Sequence, residues 1–174
     1  MAIISTSKYV KFMAPLIMLL ASQTVFALSP NLALSPKIVA HRAGTADAPE
    51  NTIYAIDLAK QNNADAIWLT VQLSKDNQLV LYRPSDLDSL TDKKGNVSAY
   101  TVEQLNHVNA AYKFSQKHNQ QFPLQKTTIT TLENILQKYP DTTFYVDLKS
   151  PDANPDIQAK AILALLDKTN AFNQ

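Results

Sequence analysis

The chain contains no cysteine. Its fold therefore cannot lean on disulfides, and burial and hydrogen bonding must suffice. It also lacks a long basic cluster: sixteen Lys and Arg against fifteen Asp and Glu leave a net charge of +1. Aromatic residues do not interleave with the basic ones, so nucleic acid is not an expected partner. No apolar run reaches membrane-spanning length, since the uncharged stretch from Phe12 to Ala21 falls well short of the ~20 residues a bilayer requires. Internal repeats and low-complexity tracts are likewise missing.

What is present starts with an export signal. Lys8 and Lys11 precede the uncharged run, and Val25-Phe26-Ala27 offers small residues where a signal peptidase reads. Residues 1–27 read as a signal peptide cleaved after Ala27, which implies a periplasmic or secreted protein with no membrane span after cleavage. Residues 28–36 form a Pro/Ser/Asn spacer, and residues 37–174 the domain. Nothing in the sequence sets an oligomeric state.

From Lys37 onward, short apolar runs alternate with helical patterns, which predicts an α/β fold of βα units on a parallel sheet. The expected strands are Lys37–His41, Ala66–Gln72, Leu79–Tyr82 and Thr143–Lys149. The expected helices are Thr52–Gln61, Val102–Val108, Leu132–Lys138 and Pro155–Lys168. Thr101 with Gln104 and Thr130 with Glu133 fit capping boxes, and Asn154-Pro155 an N-cap followed by proline at N1. Asn109 to Thr128 reads as a long polar connection. On the last helix, Ile157, Ala161, Ile162, Leu165 and Leu166 form the apolar face.

Period-two alternation sets Ile67, Leu69, Val71 and Leu73 against the helices and turns Trp68 and Thr70 inward. Phe144, Val146 and Leu148 suit the helix-packed side, so Asp147 and Lys149 project beside His41. Polar groups converging at strand ends are a site-like arrangement.

The stretch Ala40-His41-Arg42-Ala43-Gly44, followed by Pro49-Glu50-Asn51-Thr52, resembles the H-R-G…P-E-N-T signature of the glycerophosphodiester phosphodiesterase family. Ser74-Lys75-Asp76-Asn77 resembles the family's T-x-D-G turn, Leu90-Thr91-Asp92 with Gly95 its R-T-T-x-G, Thr131-Leu132-Glu133 its P-T-L-E, and Asp147-Leu148-Lys149 its E-x-K. The resemblance implies a TIM-type (β/α) barrel of the phosphatidylinositol-phosphodiesterase-like kind, a small-molecule glycerophosphodiester as substrate, and a divalent cation, calcium or magnesium. It gives His41 the role of acid/base, places Arg42 and Lys149 on phosphate, and makes Asp147 a metal carboxylate.

Three positions depart from the pattern. The family's E-x-D reads Trp68-Leu69-Thr70, which replaces two of three metal carboxylates; its H-D reads Tyr82-Arg83; and its H-R-G glycine is Ala43. Tyr82 stands where a second catalytic histidine is expected, and a phenol with an ordinary pKa of about 10 is a weak general base. Arg83 reads either as a phosphate contact that replaces cation charge or as a solvated loop charge. Trp68 reads either as barrel filling or as a substrate-stacking ring, and Asp147 and Lys149 alternatively as an internal salt bridge. Glu50-Asn51-Thr52 reads as a structural tie, and Glu133 as a helix cap.

A closed eight-strand barrel takes ~250 residues, and about four βα units are visible, so the chain reads as the first half of a barrel. The expected function is phosphoric diester hydrolysis. The alternatives are a non-catalytic phosphodiester- or lipid-headgroup-binding protein on the same scaffold and an inactive truncation product.

Overall fold

The structure, a computed structural model, describes residues 36–149 and 155–169. The chain divides into two units, Met1–Pro36 and Lys37–Gln174, and every element below belongs to the second. The signal segment, most of the spacer and the Asn154 cap lie outside the described residues. In chain order the elements are β1 (Val39–His41), α1 (Ile53–Gln61), β2 (Ala66–Leu73), β3 (Leu79–Leu81), α2 (Val102–Leu105), α3 (Tyr112–His118), α4 (Leu132–Lys138), β4 (Phe144–Leu148) and α5 (Pro155–Thr169).

β2 is the strand to which the others pair. β1 and β4 run parallel to it, in register His41↔Trp68, Trp68↔Tyr145 and Thr70↔Asp147. β3 runs antiparallel, Val71↔Leu81 and Leu73↔Leu79. The sheet is therefore mixed, which corrects the expectation of parallel βα units throughout. The reason is the link from Ser74 to Gln78, far shorter than the dozen or more residues a parallel crossover takes. Asn77 adopts φ 57° at that turn, and Ser74 closes it by accepting from the Gln78 amide.

The two sheet faces have different cover. Ile67, Leu69, Val71, Leu73, Leu79 and Leu81 are buried with Ala55, Ile56 and Ala59 of α1 and Leu132 and Ile135 of α4, and Ala161, Ile162 and Leu165 of α5 pack against them. Ile157, expected on that apolar face, is instead exposed. On the other face, the β3 end is covered by a second core in which Val80 and Tyr82 meet Leu87, Val97, Leu105, Val108, Ala110 and Ile129. The β1 end of that face has no such cover: Val39, Trp68 and Tyr145 are exposed. The inner face is thus half lidded and half open.

Local signals account for most boundaries. Thr52 caps α1 by accepting from the Ala55 amide, and the Thr101–Gln104 capping box is complete in both directions. At α4 the cap is Thr131, whose hydroxyl accepts from the Asn134 amide; Thr130 does not cap, because its carbonyl accepts from the Leu81 amide and keeps that residue beside β3. Glu133, expected as part of a cap, instead pairs with Lys168 of α5 at 2.7 Å. The connection from Asn109 to Thr128 contains α3, a helix with no buried residue. Its hold is aromatic: Phe114 meets Phe122 edge-on, and Phe122 in turn meets Tyr54 of α1.

Candidate active site

The loop after β1 is built by backbone strain. Arg42, Ala43 and Gly44 have φ 52°, 62° and 152° in succession, a reversal held by hydrogen bonds that the Ala43 amide donates to the Ala40 carbonyl and the Gly44 amide to the His41 carbonyl. A Cβ on Gly44 would stand 3.1 Å from an Asp47 oxygen. Ala43 bears the left-handed cost of roughly 1–2 kcal/mol. Its buried methyl offsets that cost in part, by about 0.8 kcal/mol, but an alanine at positive φ loses more than its smaller unfolded-state entropy returns.

The P-E-N-T residues tie this loop down. Arg42 Nη1 donates to Glu50 Oε2 at 2.9 Å, and the Asn51 amide donates to the Arg42 carbonyl. Asn51, itself buried at φ 55°, accepts from the Thr70 amide at 2.9 Å. That amide lies between the stretch of β2 that pairs with β1 and the stretch that pairs with β3. Asn51 therefore supplies a partner that neither strand provides.

The register brings His41, Trp68 and Tyr145 into one row, on the open part of the inner face, and Thr70 and Asp147 into the next, where Thr70 is already buried. His41 meets the Trp68 ring edge-on, with centroids 5.7 Å apart. Val39, Trp68, Tyr145, Val146 and Asp147 line an open concavity of about 560 Å³, within the range of small-ligand sites. Asp147 is half-buried, and among the described residues it forms no ion pair. Lys149 is exposed and does not pair with it.

One expected site residue, Tyr82, stands apart from this row. Tyr82 is buried in the second core, where its hydroxyl donates to the Leu87 carbonyl at 3.0 Å. Burial holds that phenol well above its ordinary pKa, which removes it as a base. Arg83 is exposed at the exit of β3 and has no ion pair among the described residues. Glu50 was readable only as a tie, yet its second oxygen, Oε1, is buried without a partner. Tyr145 was readable as sharing a face with Asp147, but its place beside Trp68 depends on the register between β2 and β4.

Residues 41–174 match the glycerophosphoryl diester phosphodiesterase family. The chain belongs to that family. An uncharacterized protein of Mycobacterium tuberculosis is 46% identical over 129 residues, 72% of this chain and 43% of that protein. The solved glycerophosphoryl diester phosphodiesterase domain of an uncharacterized M. tuberculosis protein superposes with a TM-score of 0.64 at 40% identity, over 78% of this chain and 49% of that one. An Oleispira antarctica phosphodiesterase in complex with the product sn-glycerol-3-phosphate superposes with a TM-score of 0.66 at 25% identity, over 77% and 53%. The chain thus spans about half the length of the relatives it matches.

Glycerophosphoryl diester phosphodiesterases generally use a divalent metal ion. Hard cations take six or more oxygens, several of them anionic. At the inner-face positions facing Tyr145 and Asp147 this chain offers an indole and one hydroxyl, Trp68 and Thr70. No group of three or more His, Asp or Glu among the described residues stands close enough to hold a metal. The donor set does not fit such an ion, and Asp147 alone does not make a cage.

Proposed function

We propose that this protein is an exported phosphoric diester hydrolase acting on small glycerophosphodiesters. The observation that carries the reading is His41: exposed at the end of β1, on the same open face as Asp147, in a chain of the glycerophosphoryl diester phosphodiesterase family. The relative solved with sn-glycerol-3-phosphate as product supports the substrate class.

Hydrolysis breaks the P–O bond to the alcohol and forms one from water oxygen. One proton leaves the water and one reaches the departing alkoxide. Histidine is the side chain most often used for such transfers, and His41 takes that role. Arg83 and Lys149, both exposed and without ion pairs among the described residues, meet the phosphate oxygens together with Arg42, whose orientation Glu50 fixes. A guanidinium holds phosphate bidentately without a metal.

The test is release of glycerol 3-phosphate from glycerophosphodiesters by the purified protein, followed by phosphorus NMR, with His41→Ala as the control. Turnover lost in that variant supports the reading. Diester binding without turnover in the unaltered protein sinks it and returns the non-catalytic alternative. Export rests on Lys8, Lys11 and the Val25-Phe26-Ala27 end of the leader; N-terminal sequencing of protein recovered outside the cytoplasm should begin at Leu28.

A further inference from the structure

We infer that the cavity between α3 and the β1–α1 loop is a second ligand site, separate from the row of His41, Trp68 and Tyr145, and that it takes a small dianionic phosphate monoester. The binding stands on this cavity alone. The diesterase reading above enters only in naming a source, since the glycerol 3-phosphate that such a reaction releases is a monoester of this class.

The cavity holds about 250 Å³. Thr45 and Glu50 line it from the β1–α1 loop, Lys113 and Lys117 from α3, and Ser89 and Leu90 complete it. Its walls are fixed from within the fold: the Lys113 amide donates to the Leu90 carbonyl at 3.0 Å, the Asn51 amide holds the loop at the Arg42 carbonyl, and Phe114 is tied through Phe122 to Tyr54 of α1. The site therefore owes nothing to the uncovered ends of β1 and β4.

Charge decides what the cavity calls for. Lys113 and Lys117 stand four apart on α3, so their ammonium groups share one face and repel each other. No Asp or Glu occurs between Glu103 and Glu133, so α3 has no carboxylate of its own to offset them. Lys113 reaches the exposed Asp88 only at 3.6 Å, and Lys117 has no ion pair among the described residues. Glu50, the one carboxylate in the lining, is already paired with Arg42 at 2.9 Å. The unmatched charge is positive.

The lining also decides which anion. A phosphate monoester carries about −1.5 to −2 charge at neutral pH and three strong acceptor oxygens, where a diester has a single charge to offer. Two ammonium groups and the exposed hydroxyls of Thr45 and Ser89 match the monoester. Leu90, Ala110 and Phe114 supply apolar lining for a carbon stem. At a volume just under the usual range of small-ligand sites, that stem is short.

Amide NMR separates this site from the other, because Thr45, Lys113, Phe114 and Lys117 report on one and His41, Trp68 and Asp147 on the other. The purified protein is titrated with sn-glycerol 3-phosphate and with dimethyl phosphate, a diester of single charge. Expected are saturable shifts at the first set, with the monoester binding about tenfold tighter than the diester and both weakening as salt rises. Lys113→Gln combined with Lys117→Gln weakens the monoester at that set by about tenfold or more, while Lys117→Arg keeps it. Both lysines are exposed, so these changes leave the core untouched.

Shifts confined to His41, Trp68 and Asp147, or shifts at α3 that survive unchanged in the double variant, overturn the second site and leave the diesterase reading standing. Equal affinity for monoester and diester at α3 overturns its selectivity for the dianion. Monoester binding at α3 by a protein that turns over no diester supports the second site and removes the diesterase reading.

Discussion

Arg42 is anchored by Glu50 of the same loop: Nη1 and Oε2 lie 2.9 Å apart, with only 21% and 13% of the two side chains exposed. The pair closes the reversal that carries the chain from His41 into α1, at a point where three residues in succession have positive φ. Removing one partner leaves a largely buried charge alone, which costs more than the pair contributes. Glu50→Ala should lower stability by about 1–3 kcal/mol in urea unfolding. In a double-mutant cycle with Arg42→Ala the coupling should exceed about 0.5 kcal/mol; additive losses would show that the contact is incidental.

Asn51 should be less replaceable than its neighbours. Its side chain is the partner of the buried Thr70 amide, and its backbone sits at φ 55°, where asparagine is tolerated better than alanine. Asn51→Ala combines an orphaned amide, about 1–3 kcal/mol, with a left-handed alanine, about 1–2 kcal/mol. Asn51→Asp keeps both the acceptor and the backbone preference. Thermal unfolding should therefore rank the alanine variant well below the aspartate one, and an inverted order would remove the tie between this loop and β2.

Tyr82 gives a separable outcome. Its hydroxyl donates to Leu87 inside the second core, so Tyr82→Phe should cost about 0.5–1.5 kcal/mol of stability and leave diester turnover within about threefold of the unaltered protein. A fall in kcat of about a hundredfold or more, the scale of a lost acid/base group, would restore the phenol to the chemistry.

These residues also show how far the sequence could be read. Alternation alone puts Trp68, Thr70, Tyr145 and Asp147 on one face, because side-chain direction along a strand is local. Which of them are neighbours depends on register, and register comes from pairings across the chain. Tyr82 lies on the same alternating face as Val80, but its burial is supplied by residues from Leu87 to Ile129, whose path no local pattern announces. α3 escaped for a related reason: with no buried residue it carries no apolar stripe to read. The antiparallel β3 was legible in the brevity of the link from Ser74 to Gln78, a signal that outranks the general alternation of strands and helices.

The donor set makes a further prediction about metal. With Trp68 and Thr70 in place of carboxylates, millimolar calcium or magnesium should bind too weakly to stabilise the fold. At a dissociation constant about tenfold above the cation concentration the gain is under about 0.1 kcal/mol. The melting temperature after EDTA treatment should match that with excess cation, and a rise of several degrees would reveal metal ligands beyond Asp147.

Acid should act on the fold through Asp57. Its carboxylate accepts from Lys126 Nζ and from the Tyr139 hydroxyl, each at 2.7 Å, and so joins α1 to the turn that closes the long connection and to the end of α4. Burial pushes this carboxyl up, but the hydrogen bonds from Lys126 and Tyr139 and the charges of Lys126 and Lys138 outweigh it, so its pKa lies below the ordinary value. Tyr139 is held above its own ordinary value by burial and by the same carboxylate, and so remains a donor across the acid and neutral range. A depressed folded-state pKa means that the unfolded chain binds the proton first as pH falls. The contribution of Asp57 is complete above the unfolded value of about 3.9 and is lost as pH drops below it through the folded value. Urea midpoints taken from pH 7 down to pH 3 should fall more steeply in the unaltered protein than in Asp57→Asn, with the two curves closing on each other below about pH 4; curves that stay parallel would show that Asp57 has the same pKa folded and unfolded.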